Sequence, residues 1–232
     1  QTDARVGCVT GLVLPYELET AAQLWFEAYG GFGKGFERRR FDLDAHRPPD
    51  RLFPYTAGTL GAGANMAFRT SVLCALGGFD PALGPGSPAR GGGDLAAYYD
   101  VLRLGLQLVY EPRALVWHRH RRDYAGLRRQ VFSWGVGFSA FLTRCLTRDP
   151  GVARDLLREL PLGVATTLSL RGRARRRAIS GYPPELTDLP YPRALRLTEL
   201  LGMPYGPVAY LRGRLGSGGT RPAARAVSSQ TP

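Results

Sequence analysis

One aspartate and two histidines stand out in this 232-residue chain because of what surrounds them. Asp94 follows three glycines in RGGGDLAAYYDVLRLG (90–105) and opens what reads as a helix. A carboxylate at a helix start caps it, which is worth about 0.5–2 kcal/mol. A cap alone needs no glycine run. Gly91, Gly92 and Gly93 allow backbone conformations closed to other residues, and they leave no side chain between the carboxylate and a ligand. Asp94 in that setting suits a general base that takes a proton from a hydroxyl. His118 and His120 lie in YEPRALVWHRHRRD (110–123), on one face if the strand continues. Neutral imidazole is a common metal ligand, and Arg119, Arg121 and Arg122 disfavour its protonation. The same arginines suit phosphate, and a pair of surface histidines is the plainer alternative. In GAGANMAFR (61–69), Gly61 and Gly63 admit close approach of the backbone to something bulky. Asn65 there can bond backbone or ligand. No Walker A ending follows.

These residues need elements to hold them. RVGCVTGLVLP (5–15) predicts a strand, with valines in near alternation. Residues 17–30 predict a helix with Ala21, Leu24, Trp25 and Ala28 on its apolar face, stopped by Gly30 and Gly31. Residues 31–56 read as a long excursion. NMAFR reads as a strand, and TSVLCALGG as a short helix with Thr70 as cap and Gly77 as stop. The helix after Asp94 ends at Gly105, and LQLVYEPRALVWH reads as two short strands around Glu111–Pro112.

From 123 to 149 a long helix recurs at three- and four-residue steps through Leu127, Val131, Trp134, Phe138, Phe141 and Cys145. A second amphipathic helix carries Val152, Leu156, Leu160 and Val164. The alternation of strand and helix over 1–120 indicates an α/β fold. The divisions expected are 1–122 for the α/β part and 123–170 for a helical appendage. They continue with 171–214 for a basic linker with short helices and 215–232 for a disordered tail.

Charge is uneven. Residues 1–100 hold nine Lys/Arg and eleven Asp/Glu, and residues 101–232 hold twenty-two and eight. RGRARRR (171–177) is the densest run. The C-terminal part should be drawn to an anionic partner. Trp134, Phe138 and Phe141, ringed by Arg128, Arg129, Arg144 and Arg148, pack on the α/β part or lie on an anionic membrane surface. Nucleic acid is the weakest reading, because no helix-turn-helix, RNA-recognition or zinc pattern occurs. The three cysteines show no Cys-x-x-Cys spacing, which disfavours a disulfide framework and favours a reducing compartment. No apolar run reaches the ~18 residues of a membrane span.

Four segments in order carry a resemblance: AGTLGAGANMAFR (57–69), LGGFDPALG (76–84), GGGDLAAYYDVLRLG (91–105) and LVYEPRALVWHRHRRD (108–123). Together they resemble the C-terminal half of family 2 glycosyltransferases of the GT-A fold, over about residues 1–145. The resemblance implies transfer of a sugar from a nucleotide-sugar donor to an acceptor hydroxyl, on a saccharide or a lipid-linked acceptor. It implies Asp94 as the base of an inverting enzyme, with retaining chemistry as the alternative. Gly61, Gly63, Asn65, Arg69, Gly92 and Gly93 would line the cleft. Asp80 would stand on the acceptor side or stabilise its turn. His118 would be a ligand of a divalent metal, Mg or Mn.

The acidic motif reads Gly93-Asp94 where many members have Glu-Asp. The family's Asp-x-Asp motif precedes the first strand seen here, and FDLD (41–44) falls in the excursion. The chain is therefore expected to be a fragment or one half of a split protein. A non-catalytic remnant that binds a partner subunit or a membrane is the other expectation. The location expected is cytoplasmic, peripheral on the inner face of the membrane.

Overall fold

A computed structural model of the chain describes residues 3–29, 31–168 and 192–216. The RGRARRR run and the tail from 217 onward lie outside them, as does the start at Gln1. The architecture is mixed α/β around a four-stranded sheet. Its strands are β1 (Val6–Pro15), β2 (Arg39–Phe41), β3 (Met66–Phe68) and β4 (Gln107–His118), in the order β2-β4-β1-β3. β1 and β4 run parallel at the centre, and the two short strands pair antiparallel at the edges. The helices are α1 (Ala21–Ala28), α2 (Thr70–Ala75), α3 (Gly93–Arg103), α4 (Tyr124–Arg148), α5 (Pro150–Leu168), α6 (Arg193–Gly202) and α7 (Tyr205–Gly216). Among the described residues no helix is long and apolar enough to cross a membrane.

The segment expected as two strands is one strand with a bulge. Gly11 pairs with Glu111 but Leu12 pairs with Leu115, so Pro112, Arg113 and Ala114 have no partner on β1. Proline has no N–H to donate to a ladder, which places the interruption there. The Asn65 side chain holds it, donating to the Leu12 carbonyl (3.0 Å) and the Ala114 carbonyl (2.7 Å). The 31–56 excursion contains β2, where Arg39 faces Tyr110 and Phe41 faces Leu108.

α1 starts with a capping box: Thr20 accepts from the Gln23 N–H, and the Gln23 side chain accepts from the Thr20 N–H (3.0 Å). Its buried face is turned from the expected one. Ala22, Gln23, Phe26 and Glu27 are buried; of the expected residues Ala28 is buried, Leu24 and Trp25 are half-buried, and Ala21 is exposed. In α2, Arg69 rather than Thr70 occupies the cap position.

α4 is the spine of the molecule. Asp123 caps it, accepting from the Gly126 N–H at 2.7 Å. The aromatic face considered for a membrane is packed inward. Phe141 is fully buried, and Trp134 meets Phe26 and Tyr29 at ring distances of 5.4 and 6.4 Å. α4 thus shares its core with α1 and α3 rather than hanging from them. Two glycines let neighbours touch its backbone. A Cβ on Gly135 would sit 1.9 Å from the Glu199 carbonyl, and one on Gly137 would sit 2.8 Å from Gly91.

That contact accounts for the middle glycine of the run. Gly92 has φ +85°, and a Cβ there would lie 2.4 Å from the Gly137 carbonyl. Gly86 has nearly the same φ (+87°) and nothing within 4 Å. Gly86→Ala is therefore expected to cost about 1 kcal/mol for the backbone alone. Gly92→Ala should cost about 2–4 kcal/mol, because overpacking adds to that. Urea unfolding of the two variants side by side checks the difference.

Candidate active site

Asp94 stands in the first turn of α3, with Gly92 as the cap residue. Its Oδ2 accepts from the Gly63 N–H at 3.1 Å and its Oδ1 from its neighbour Leu95 N–H at 3.0 Å. The carboxylate is thus oriented from both sides by backbone. An ionised carboxylate has about four acceptor positions, so about two remain. Asp94 is half-buried, and Gly63 and Ala64 beside it are exposed. A Cβ on Gly63 would lie 3.0 Å from Asp94 Oδ2, so the glycine makes room for this approach. Gly61 is needed one step deeper, where a Cβ would meet the Thr10 side chain at 2.4 Å. The structure therefore brings Asp94, Gly61, Gly63 and Gly93 together at one place.

Other expected cleft residues are occupied elsewhere. Asn65 is spent on the β4 bulge. Arg69 donates to the carbonyls of Val6 (3.3 Å) and Asp3 (3.1 Å), at the start of β1 rather than beside Asp94. Gly92 serves the α4 contact.

Asp80 is a buried hub. Its Oδ1 accepts from the Ala82 N–H (3.0 Å), and its Oδ2 accepts from Arg144 Nε (2.9 Å), Arg148 Nη2 (3.2 Å) and the Tyr210 hydroxyl (3.4 Å). Arg144 also donates twice to Asp100 on α3, at 2.9 and 2.6 Å. Burial opposes its charge, but the bonds to Asp100 and Asp80 outweigh burial and raise its pKa.

FDLD is structural too. Asp42 accepts from the N–H groups of Asp44 (2.9 Å) and His46 (2.7 Å), from the His46 ring (2.7 Å) and from Gln107 (3.0 Å). Burial alone would raise its pKa, but the His46, Asp44 and Gln107 bonds hold it at about 2. A depressed carboxylate stabilises the fold fully above its unfolded value, near 4. That contribution is lost as pH falls toward 2. Asp42→Asn is expected to flatten the loss of stability between pH 4 and pH 2, measured by urea unfolding at each pH.

His118 and His120 do meet, with their Nδ1 atoms 3.1 Å apart. His120 continues inward, its Nε2 lying 2.6 Å from Glu27 Oε1, with both side chains almost fully buried. Sequence reasoning passed over Glu27. Its signal was the polar pair Gln23 and Glu27, one turn apart beside the apolar pair Ala22 and Phe26. The second Glu27 oxygen is buried without a hydrogen-bond partner, and a Cβ on Gly31 would lie 2.4 Å from it.

Two proton arrangements satisfy this chain. A charged His120 donates to both Glu27 and His118, which puts the remaining His118 proton on Nε2. A neutral His120 donates to Glu27 and accepts from His118, which leaves the His118 Nε2 lone pair free. Only the second leaves a ring nitrogen for a metal. Burial first, then His120 and Arg121, push the His118 pKa down, which favours its neutral form. Among the described residues, however, no three His, Cys, Asp or Glu side chains gather to hold a metal ion. His118 could supply one ligand of a shared site, through Nε2, in the second arrangement.

Asp94 and His118 occupy separate stations. Asp94 lies by the Gly61–Asn65 segment, whose Asn65 bonds Leu12, while His118 pairs with Pro15. The three residue steps of strand from Leu12 to Pro15 span roughly 10 Å. Both stations lie toward the C-terminal ends of the parallel strands, where open α/β sheets bind ligands. Compared with family models, curated proteins and solved structures, the chain matches none.

Proposed function

We propose that the chain carries the acceptor-side half of an inverting glycosyltransferase of the GT-A type. It would move a sugar from a nucleotide-sugar to an acceptor hydroxyl. The observation that carries this reading is the Asp94 carboxylate. It is gripped by two backbone N–H groups and half-buried beside an exposed Gly63–Ala64 surface with almost no side chains. The motif order from Gly61 to His118 supports it.

In this reading Asp94 takes the proton of the acceptor hydroxyl as that oxygen bonds to the anomeric carbon. The bond from that carbon to the donor diphosphate breaks, and its electron pair leaves with the diphosphate. The reading draws the Asp-x-Asp segment that binds diphosphate and metal from another stretch of chain or from a partner subunit. Asp42 of FDLD is already committed to His46 and Gln107.

A non-catalytic binding role is favoured by a different observation. Gly92, Asn65, Arg69 and Asp80 all have structural work that needs no substrate. The test is release of nucleoside diphosphate from UDP-, GDP- and dTDP-hexoses with Mg or Mn. It uses the natural gene product and compares wild type with Asp94→Asn. Release that depends on Asp94 supports transfer, and release indifferent to Asp94 overturns its role as base.

A further inference from the structure

α6 and α7 both bury one side on α4 and turn the other away from it. The inward side holds Leu195, Thr198 and Gly202, then Gly206, Ala209 and Tyr210. The outward side presents Leu197, Leu201, Val208, Leu211 and Leu215, each between 50 and 83% exposed. Steps of three and four residues keep them on one side of each helix. Single exposed apolar residues are ordinary, but a run of them within two short consecutive helices is a patch that needs a partner.

The charges choose the partner. Between 192 and 216 there are four arginines, Arg193, Arg196, Arg212 and Arg214, and one acidic residue, Glu199. Glu199 is turned inward, accepting from the hydroxyl of Tyr29, the residue that caps α1. Arg193, Arg212 and Arg214 are exposed, so the exposed charge of these helices is arginine alone. A second copy docked here would set arginine against arginine.

The geometry points to an anionic lipid surface as the occupant of the α6–α7 face. There the leucines and Val208 enter the boundary between headgroups and acyl chains, and arginine stems reach back to lipid phosphates. This inference stands apart from Asp94, and it moves the membrane contact from the face of α4, which is packed inward.

The test is flotation of the full chain with phosphatidylcholine vesicles, with and without phosphatidylglycerol. The expected result is binding to the anionic vesicles, weakened at least about tenfold by the triple substitution Leu201→Gln, Leu211→Gln, Leu215→Gln. Leu104→Gln, exposed at the end of α3, should leave binding unchanged. Leu215→Gln alone, at the most exposed position, should weaken binding in the same direction and covers the case of a triple variant that fails to fold.

Three results would overturn the inference. In the first, the folded triple variant binds as wild type does, so arginine attraction alone is responsible. In the second, wild type binds neither vesicle. In the third, wild type is a dimer in sedimentation velocity that the triple variant dissolves, with no vesicle binding by either.

Discussion

Asp94→Asn is expected to lower turnover by about 10²–10⁴-fold, the range a positioned general base supplies. The substitution keeps the shape of the side chain. Its amide oxygen can still accept one of the two backbone N–H groups now held by the carboxylate, from Gly63 and Leu95. One hydrogen bond is lost, which costs about 1 kcal/mol. In a domain of this size that corresponds to a fall in Tm of roughly 2–4 °C. A large kinetic effect with a small thermal one separates a base from a cap. If Tm falls steeply and turnover falls only in proportion, Asp94 is a structural residue of α3. Nucleotide release and thermal unfolding on the same preparations read both quantities.

The largest expected effect on stability belongs to Arg144. Its side chain is 3% exposed, and it joins Asp80 and Asp100, whose side chains are 2 and 18% exposed. Removing one partner of a buried ionic cluster leaves charge without compensation, at a cost of about 3–5 kcal/mol. Arg144→Met should lose that much in urea unfolding. Arg148 still reaches Asp80, but the two bonds to Asp100 are lost with the guanidinium. Adding Asp100→Asn to Arg144→Met removes the stranded charge and should restore part of the loss, which a double-mutant cycle measures. A cost below about 1 kcal/mol for Arg144→Met would show that the cluster is not holding α3 to α4. The consequence for the site is direct, because α3 carries Asp94 on its first turn and Asp100 two turns later.

The sequence disclosed elements with strong periodicity or clear punctuation. β1, α3 and α4 stand near where alternation, three-and-four spacing and the glycines place them. Gly77 and Gly105 stop their helices at φ +75° and +73°. β2 escaped because three residues with two arginines carry no alternation. β4 was split in two because Pro112 marks a bulge and not an end. The buried face of α1 differs because Gln23 and Glu27 are polar residues in the interior, where the Glu19 and Thr20 N–H groups satisfy Gln23 and His120 satisfies Glu27.

The site was legible by type and less so by purpose. Asp94 and the Gly61–Gly63 segment do meet. The glycines before Asp94 were read as clearance for a ligand, and at Gly92 they are clearance for the backbone of α4. Arg69 was assigned to the cleft from a motif, and the antiparallel pairing of β3 carries it instead to the start of β1. α6 and most of α7 fall in 171–214, expected as a basic linker with short helices, while Leu215 and Gly216 of α7 fall in the span expected as a disordered tail.

The central claim is that a hydroxyl proton goes to Asp94 while a sugar leaves a nucleotide. The most direct measurement is nucleoside diphosphate released by the natural gene product from UDP-, GDP- and dTDP-hexoses, with Mg or Mn, with and without saccharide or lipid-linked acceptors. The expected result is release from at least one donor, raised by an acceptor and lowered about 10²–10⁴-fold by Asp94→Asn. Equal release by wild type and the Asp94→Asn variant, or none by wild type from any donor, would contradict it.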